Sequence, residues 1–194
     1  ITHGKTKLKR IEQRILKKEE KLLVISEQGL GDTLQFMRYI PYLRKQDIDV
    51  SFCAQTKLHS LIQASEIDSS PLTPQEASKI SSGKWIPLLS LPRLLQIKPT
   101  KPIVSEPYIH STNELRNKWK QIISKEQKPI IGINWQGNPE AEKTTQNGRS
   151  LRLETFSILD SDNNFKLLSL QKGFGSEQLD HCFFKNKFVE CQSK

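Results

Sequence analysis

The 194-residue chain has little cysteine, almost no methionine and no long apolar run. Cys53, Cys182 and Cys191 form no C-x-x-C pair. An odd number so spaced argues for reduced, cytosolic thiols over a disulfide framework. His3, His59, His110 and His181 are scattered, none with a His or Cys at ligand spacing, which excludes the familiar metal patterns. No segment approaches the roughly 20 apolar residues of a membrane span. The start, Ile1-Thr2-His3-Gly4-Lys5, lacks the apolar stretch of a signal peptide. Met37 is the only methionine, so residue 1 is not read as an initiator. The expectation is a piece of a longer protein or a processed product.

What is present fits a soluble globular protein, 35% hydrophobic and 26% charged, long enough for one ordinary domain or two small ones. The net charge is +9, and residues 1–21 hold eight basic against three acidic residues, so +5 of it lies there. Such a segment suits an anionic partner. No aromatic interleaves its cations, so nucleic acid is not expected, and a solvated helix face is the reading adopted. Leu8, Ile11 and Ile15 form a narrow stripe at helical spacing, which predicts a basic lead-in helix over 1–21. The tripeptide Gly4-Lys5-Thr6 matches the end of a phosphate-binding loop and is read as accidental.

The chain is organised around Leu22-Leu23-Val24-Ile25-Ser26 and the turn Gln28-Gly29-Leu30-Gly31-Asp32 that follows. The apolar run reads as a buried strand. Leu34, Met37, Ile40 and Leu43 then recur on one helix face, and Pro41 should kink that helix or weaken its middle. Val50–Ala54 is a second strand, and Thr56 is the expected cap of a short helix carrying Leu58, Leu61 and Ile62. Thr73-Pro74-Gln75-Glu76 opens another helix. Trp85–Leu89 is a strand, and a short helix follows from Ser90 or Leu91. Residues 98–107, with Pro99, Pro102 and Pro107, read as an extended connector. A helix over 111–124 precedes a second strand–turn start at Pro129–Trp135. Then come a polar loop to Ser150, a helix over Leu151–Leu159, a strand over Phe165–Leu170, a short helix over Ser176–Cys182 and a strand over Phe188–Cys191. Alternating strands and helices predict an α/β fold with parallel sheets.

The glycine turn is not a dinucleotide fingerprint. Leu34 stands where the third glycine belongs, and Asp47 and Asp49 precede the second strand instead of ending it. Asp32 is read as a helix N-cap, with Gln35 at capping-box spacing. At the mouth of a strand–turn–helix corner, the same carboxylate also lies where α/β sheets bind ligands. There the helix dipole keeps it ionised and able to accept a proton.

Glu27-Gln28-Gly29-Leu30-Gly31-Asp32-Thr33-Leu34-Gln35-Phe36-Met37-Arg38-Tyr39 resembles the opening of glycosyltransferase family 9-like domains. These are relatives of the ADP-heptose:lipopolysaccharide heptosyltransferases, and the version here is similar to that of bacterial tetratricopeptide-repeat proteins. Four further blocks agree in order: Ile86–Pro92, Gly132–Pro139, Gly148–Leu151 and Leu168–Gly173. The resemblance implies a GT-B architecture of two Rossmann-like domains. Residues 22–107 would form the acceptor domain, 108–128 a linker helix and 129–194 the donor domain. The family's Asp-Thr turn and His-Leu-Ala-Gly helix have no counterpart after Gln171, so the second domain is read as incomplete.

By the same resemblance Asp32 is the general base, and Gln28, Gly29 and Gly31 form the acceptor-side turn. Gln136, Gly137, Asn138, Lys143, Arg149, Ser150, Gln171 and Lys172 contact the donor. No metal or cofactor is needed, so basic side chains and helix N-termini stabilise the leaving diphosphate. The implied partners are a nucleotide sugar, a glycan, lipid or protein acceptor, and upstream tetratricopeptide repeats. The implied location is the cytoplasm, at the inner face of the membrane. The alternative is a non-catalytic binding or interaction domain on the same fold.

Overall fold

A computed structural model describes residues 2–12, 16–98, 100, 106–144 and 148–190. Their contacts divide the chain into two units, Ile1–Thr112 and Asn113–Lys194, each with its own sheet and core. Both are α/β, with every strand pairing parallel. Among the described residues no helix is long and apolar enough to cross a membrane.

The first unit is built on β1 (Lys9–Arg10), β2 (Lys21–Ile25), β3 (Asp49–Cys53) and β4 (Lys84–Pro87), in the order β1-β4-β2-β3. Strand β2 is central, and Leu22, Leu23, Val24 and Ile25 are at most 1% exposed. That burial is what a parallel strand covered on both faces requires. Leu22 and Val24 join Met37, Ile40, Leu43, Phe52 and Ile62 in the larger core. Leu23 and Ile25 join Cys53 and Ala77 on the other side. From β2 the chain passes first to β3 and then back across to β4, so the carboxyl end of β2 is a topological switch point.

The expected basic lead-in helix is absent from the described residues of 1–21. Lys9 and Arg10 instead pair with Lys84 and Trp85, and Ile15 lies outside the described residues. The reason is visible at Leu8 and Ile11. Three apart, they would share one helix face, but a strand sends odd spacings to opposite faces. Leu8 packs in the smaller cluster and Ile11 in the larger one. Tertiary pairing with an open sheet edge outweighs helix propensity here. Gly4 is buried on that sheet, where an added Cβ would lie 3.1 Å from Cys53 Sγ, so the phosphate-loop likeness carries no loop.

After the glycine turn come α1 (Leu30–Phe36) and α2 (Tyr39–Lys45), broken at Met37 and Arg38. Pro41 has no N–H to offer the Met37 carbonyl, and its ring crowds that oxygen. The Ile40 N–H takes the carbonyl at 3.0 Å instead. Thr56 opens a 3-10 turn, Thr56–Leu58, and makes no cap hydrogen bond for α3 (His59–Ala64), contrary to its expected role. Helix α4 (Pro74–Lys79) has the predicted start. The Thr73 N–H and hydroxyl both donate to Glu76, at 2.8 and 2.7 Å, and they hold its carboxyl below the usual range. A last short helix, α5 (Leu91–Leu94), follows β4.

Most of the predicted connector at 98–107 lies outside the described residues. Beyond it, Tyr108 donates its hydroxyl to Leu34 O at 2.7 Å, and the His110 N–H donates to Ser65 Oγ at 2.9 Å. These bonds tie 108–110 to the first unit, which runs to Thr112.

The second unit holds α6 (Asn113–Ile123), β5 (Ile130–Ile133), α7 (Pro139–Thr144) and β6 (Lys166–Ser169). Strands β5 and β6 form a two-stranded sheet, and Phe188 makes a single bridge to Leu167. Of the strand expected at Phe188–Cys191, the described residues 188–190 form only this bridge, and Cys191 lies outside the described residues. The predicted helices over Leu151–Leu159 and Ser176–Cys182 are 3-10 helices, Leu153–Leu159 and Ser176–His181. Trp135, Leu153, Leu167, Phe184 and Phe188 fill the core. The polar loop expected before Ser150 contains α7, whose start has a signature: Asn138 Oδ1 accepts from the Glu140 N–H at 3.0 Å and Pro139 is the first helical residue.

Candidate functional site

Strand β2 delivers the chain to Ser26, whose buried hydroxyl lacks a hydrogen-bond partner among the described residues. Gln28 then takes a left-handed φ of 63°, a conformation that costs a non-glycine residue about 1 kcal/mol or more. Gly29 caps α1 with an ordinary extended φ of −81°. Its lack of a side chain matters for another reason: a Cβ there would meet Asp32 Oδ2 at 3.3 Å. Gly31 is helical, with open space where a Cβ would stand. Neither glycine therefore supplies a positive φ; the turn's left-handed residue is Gln28.

Asp32 is not the N-cap that its spacing suggested. It is the third residue of α1 and reaches back, Oδ2 accepting from the Gly29 N–H at 2.9 Å. Gln35 takes no part in the cap. The half-buried carboxylate is held by one oxygen, and Oδ1 has no partner among the described residues. Such an arrangement fixes the direction of a base while leaving it a lone pair to use.

Two further residues hold this turn, and no local pattern in the sequence marks them. The His3 N–H donates to Ser26 O at 2.9 Å. The His3 ring nitrogen Nε2 donates to Gln28 O at 2.7 Å, because a carbonyl can only accept. Gln55, just past the end of β3, accepts from the Thr33 hydroxyl through Oε1 at 2.8 Å and donates to Gly29 O at 3.5 Å. Residues 2–3 thus strap the strained Gln28 peptide in place.

In the second unit most expected donor contacts gather at the carboxyl ends of β5 and β6. Gln171 Oε1 accepts from the Trp135 and Gln136 N–H groups, at 3.1 and 2.9 Å. Its amide nitrogen donates to Gln136 O and Phe174 O. The Gln136 side chain accepts from Gln178 at 2.7 Å. The Gly137 N–H donates to Ser150 Oγ at 2.9 Å, and the Ser150 hydroxyl donates to Glu142. Asn138 is spent on capping α7. Lys143 pairs with Glu140 at 2.8 Å on the surface, while Arg149 and Lys172 are exposed. Trp135 is 2% exposed and donates its indole N–H to Gly175 O at 3.0 Å, so it is core and not a stacking surface.

Both thiols of the described residues sit above their usual range. Burial pushes Cys53 up to about 11, helped by the charge of Glu76, and burial also raises Cys182. Neither environment makes a nucleophile. Among the described residues no group of His, Cys, Asp and Glu gathers as a metal site would need. No protein-family model, curated protein or solved structure matches the chain.

Proposed function

We infer that the chain is part of an inverting glycosyltransferase of GT-B type, which moves a sugar from a nucleotide diphosphate to a hydroxyl of a glycan, lipid or protein. The observation that carries this reading is the Asp32 carboxylate, fixed by Gly29 at the switch point of a parallel sheet with Oδ1 unengaged among the described residues. In the reaction Asp32 takes the proton of the acceptor hydroxyl. The acceptor oxygen forms a bond to the anomeric carbon, and the bond from that carbon to the diphosphate breaks. The nucleoside diphosphate leaves with the electron pair. In the reading taken from the family likeness, no metal takes part, and Lys143, Arg149 and Ser150 offset the leaving group's charge. A cytoplasmic location beside upstream tetratricopeptide repeats belongs to the same reading.

A second reading, a non-catalytic binding domain, is favoured by the donor side of the second unit. There Gln171, Ser150, Asn138 and Lys143 already have partners within the chain. Titration with ADP- and UDP-sugars, followed by a transfer assay on Asp32→Asn, separates the two. The enzyme reading expects sugar-nucleotide binding in both proteins and transfer reduced about 10²–10⁴-fold in the variant. Undiminished transfer by Asp32→Asn, or no binding of any nucleotide sugar, would sink it.

A further inference from the structure

We propose that the first unit carries a second ligand site, for a phosphate monoester of a hydroxylated small molecule, in the pocket at the carboxyl ends of β1 and β4. The pocket has a volume of about 510 Å³ and is lined by Arg10, Glu12, Ser90 and Arg93 around a floor of Ile11 and Ile86. This is the size range of small-molecule sites, and the carboxyl edge of a parallel sheet is where such folds bind ligands.

Its chemistry follows from what converges there. Arg10 arrives on β1 and Arg93 on α5, two guanidinium groups from separate elements at one mouth. Arg10 lies with its Cζ 5.9 Å over the Trp85 ring, and Nη2 donates to Ser90 Oγ at 3.2 Å. That is its one hydrogen bond among the described residues, so most of its five donors remain for a ligand. A planar guanidinium matches the paired oxygens of phosphate better than an ammonium does. The floor is dry: Ile11 is 4% and Ile86 3% exposed, which strengthens the field above it. Glu12 sets the rest of the ligand. A carboxylate beside two arginines disfavours a polyanion and accepts hydrogen bonds from hydroxyl groups. The site would therefore hold one phosphate at the arginines and a hydroxylated body toward Glu12. Its existence does not depend on any role of Asp32.

The test is calorimetric titration of the whole chain with glucose 6-phosphate, inorganic phosphate and glucose. Wild type, Arg10→Ala, Ser90→Ala and Asp32→Asn are compared, with circular dichroism confirming that each is folded. The expected result is tightest binding of glucose 6-phosphate, weakened at least about tenfold by Arg10→Ala, less by Ser90→Ala, and unchanged by Asp32→Asn. Two results overturn the proposal: glucose 6-phosphate binding indifferent to Arg10→Ala, or inorganic phosphate binding as tightly as glucose 6-phosphate. Loss of transfer in Asp32→Asn with glucose 6-phosphate binding intact would leave both readings standing separately.

Discussion

Gly83 is the position where the backbone argument is sharpest. It lies immediately before β4 at φ +104°, and a Cβ built on it would stand 2.5 Å from Lys21 O and 2.8 Å from Lys21 Cβ. Neither neighbour can yield easily. Lys21 begins β2 and pairs with Asp49, while Lys84 pairs with Leu22 on one side and Lys9 on the other. Gly83→Ala therefore brings two costs. The positive φ costs alanine about 1–2 kcal/mol, and forcing apart two packed strands costs about 1–3 kcal/mol more. A loss of about 2–5 kcal/mol is expected, a large share of the 5–15 kcal/mol that holds a typical domain together. Urea unfolding should show it as a lower midpoint with unchanged slope. Two other glycines calibrate the two costs. Gly148 has φ +86° but no described atom within 4 Å of an added Cβ, so Gly148→Ala should lose only about 1 kcal/mol. Gly31 is helical and unobstructed, so Gly31→Ala should gain about 0.5–1 kcal/mol. A Gly83→Ala protein within about 1 kcal/mol of wild type would refute the reasoning.

Ser26→Ala removes a buried hydroxyl without a partner among the described residues, so thermal unfolding should show no loss and up to about 1 kcal/mol of gain; a clear loss would mean that the hydroxyl is already satisfied. Asp68 is 7% exposed and takes Arg44 Nη2 at 2.6 Å and the Ser70 N–H at 2.8 Å. Asp68→Ala should cost about 2–4 kcal/mol, below the full value for a buried pair because the Arg44 side chain is 35% exposed. Cys53, raised to about 11 in the folded state, should resist iodoacetamide at pH 8 until the chain unfolds. An unfolded thiol, with its pKa at the ordinary 9.0, loses its proton first, so this group's contribution to stability is full below pH 9 and falls as the pH rises toward 11. Unfolding midpoints taken from pH 8 to 11 check the sign.

The parts of the fold that were legible in the sequence are those written in local patterns. The apolar run at Leu22–Ile25, the Thr73/Glu76 box and the weak point before Pro41 each act within a few residues. Strand β1 was not legible, because a Lys- and Arg-rich segment favours helix until an exposed β4 edge supplies hydrogen-bond partners far along the chain. Asp32 is legible as a capping residue, but it caps from the third helical position. A cap with no side chain, Gly29, lets the third helical residue do the capping, and spacing alone favours the residue whose side chain can cap. His3 and Gln55 were missed since both reach the turn through the tertiary fold. Helix α7 has its start signal in three adjacent residues, Asn138-Pro139-Glu140, inside a stretch whose polar composition reads as loop.

The order of strands in the first sheet also sets an order in time. Strand β1 is synthesised first, yet its partner β4 is the last of the four to be made, so Lys9 must wait for Lys84. Strand β2 needs both β3 and β4 before its faces and edges are covered. During synthesis β1 therefore stays unpaired through most of the unit, and the sheet can close only once Pro87 has left the ribosome. Long-range parallel pairing of this kind is slow and leaves edges open while it waits. Lysines and arginines along a strand that must wait disfavour its pairing with the wrong chain.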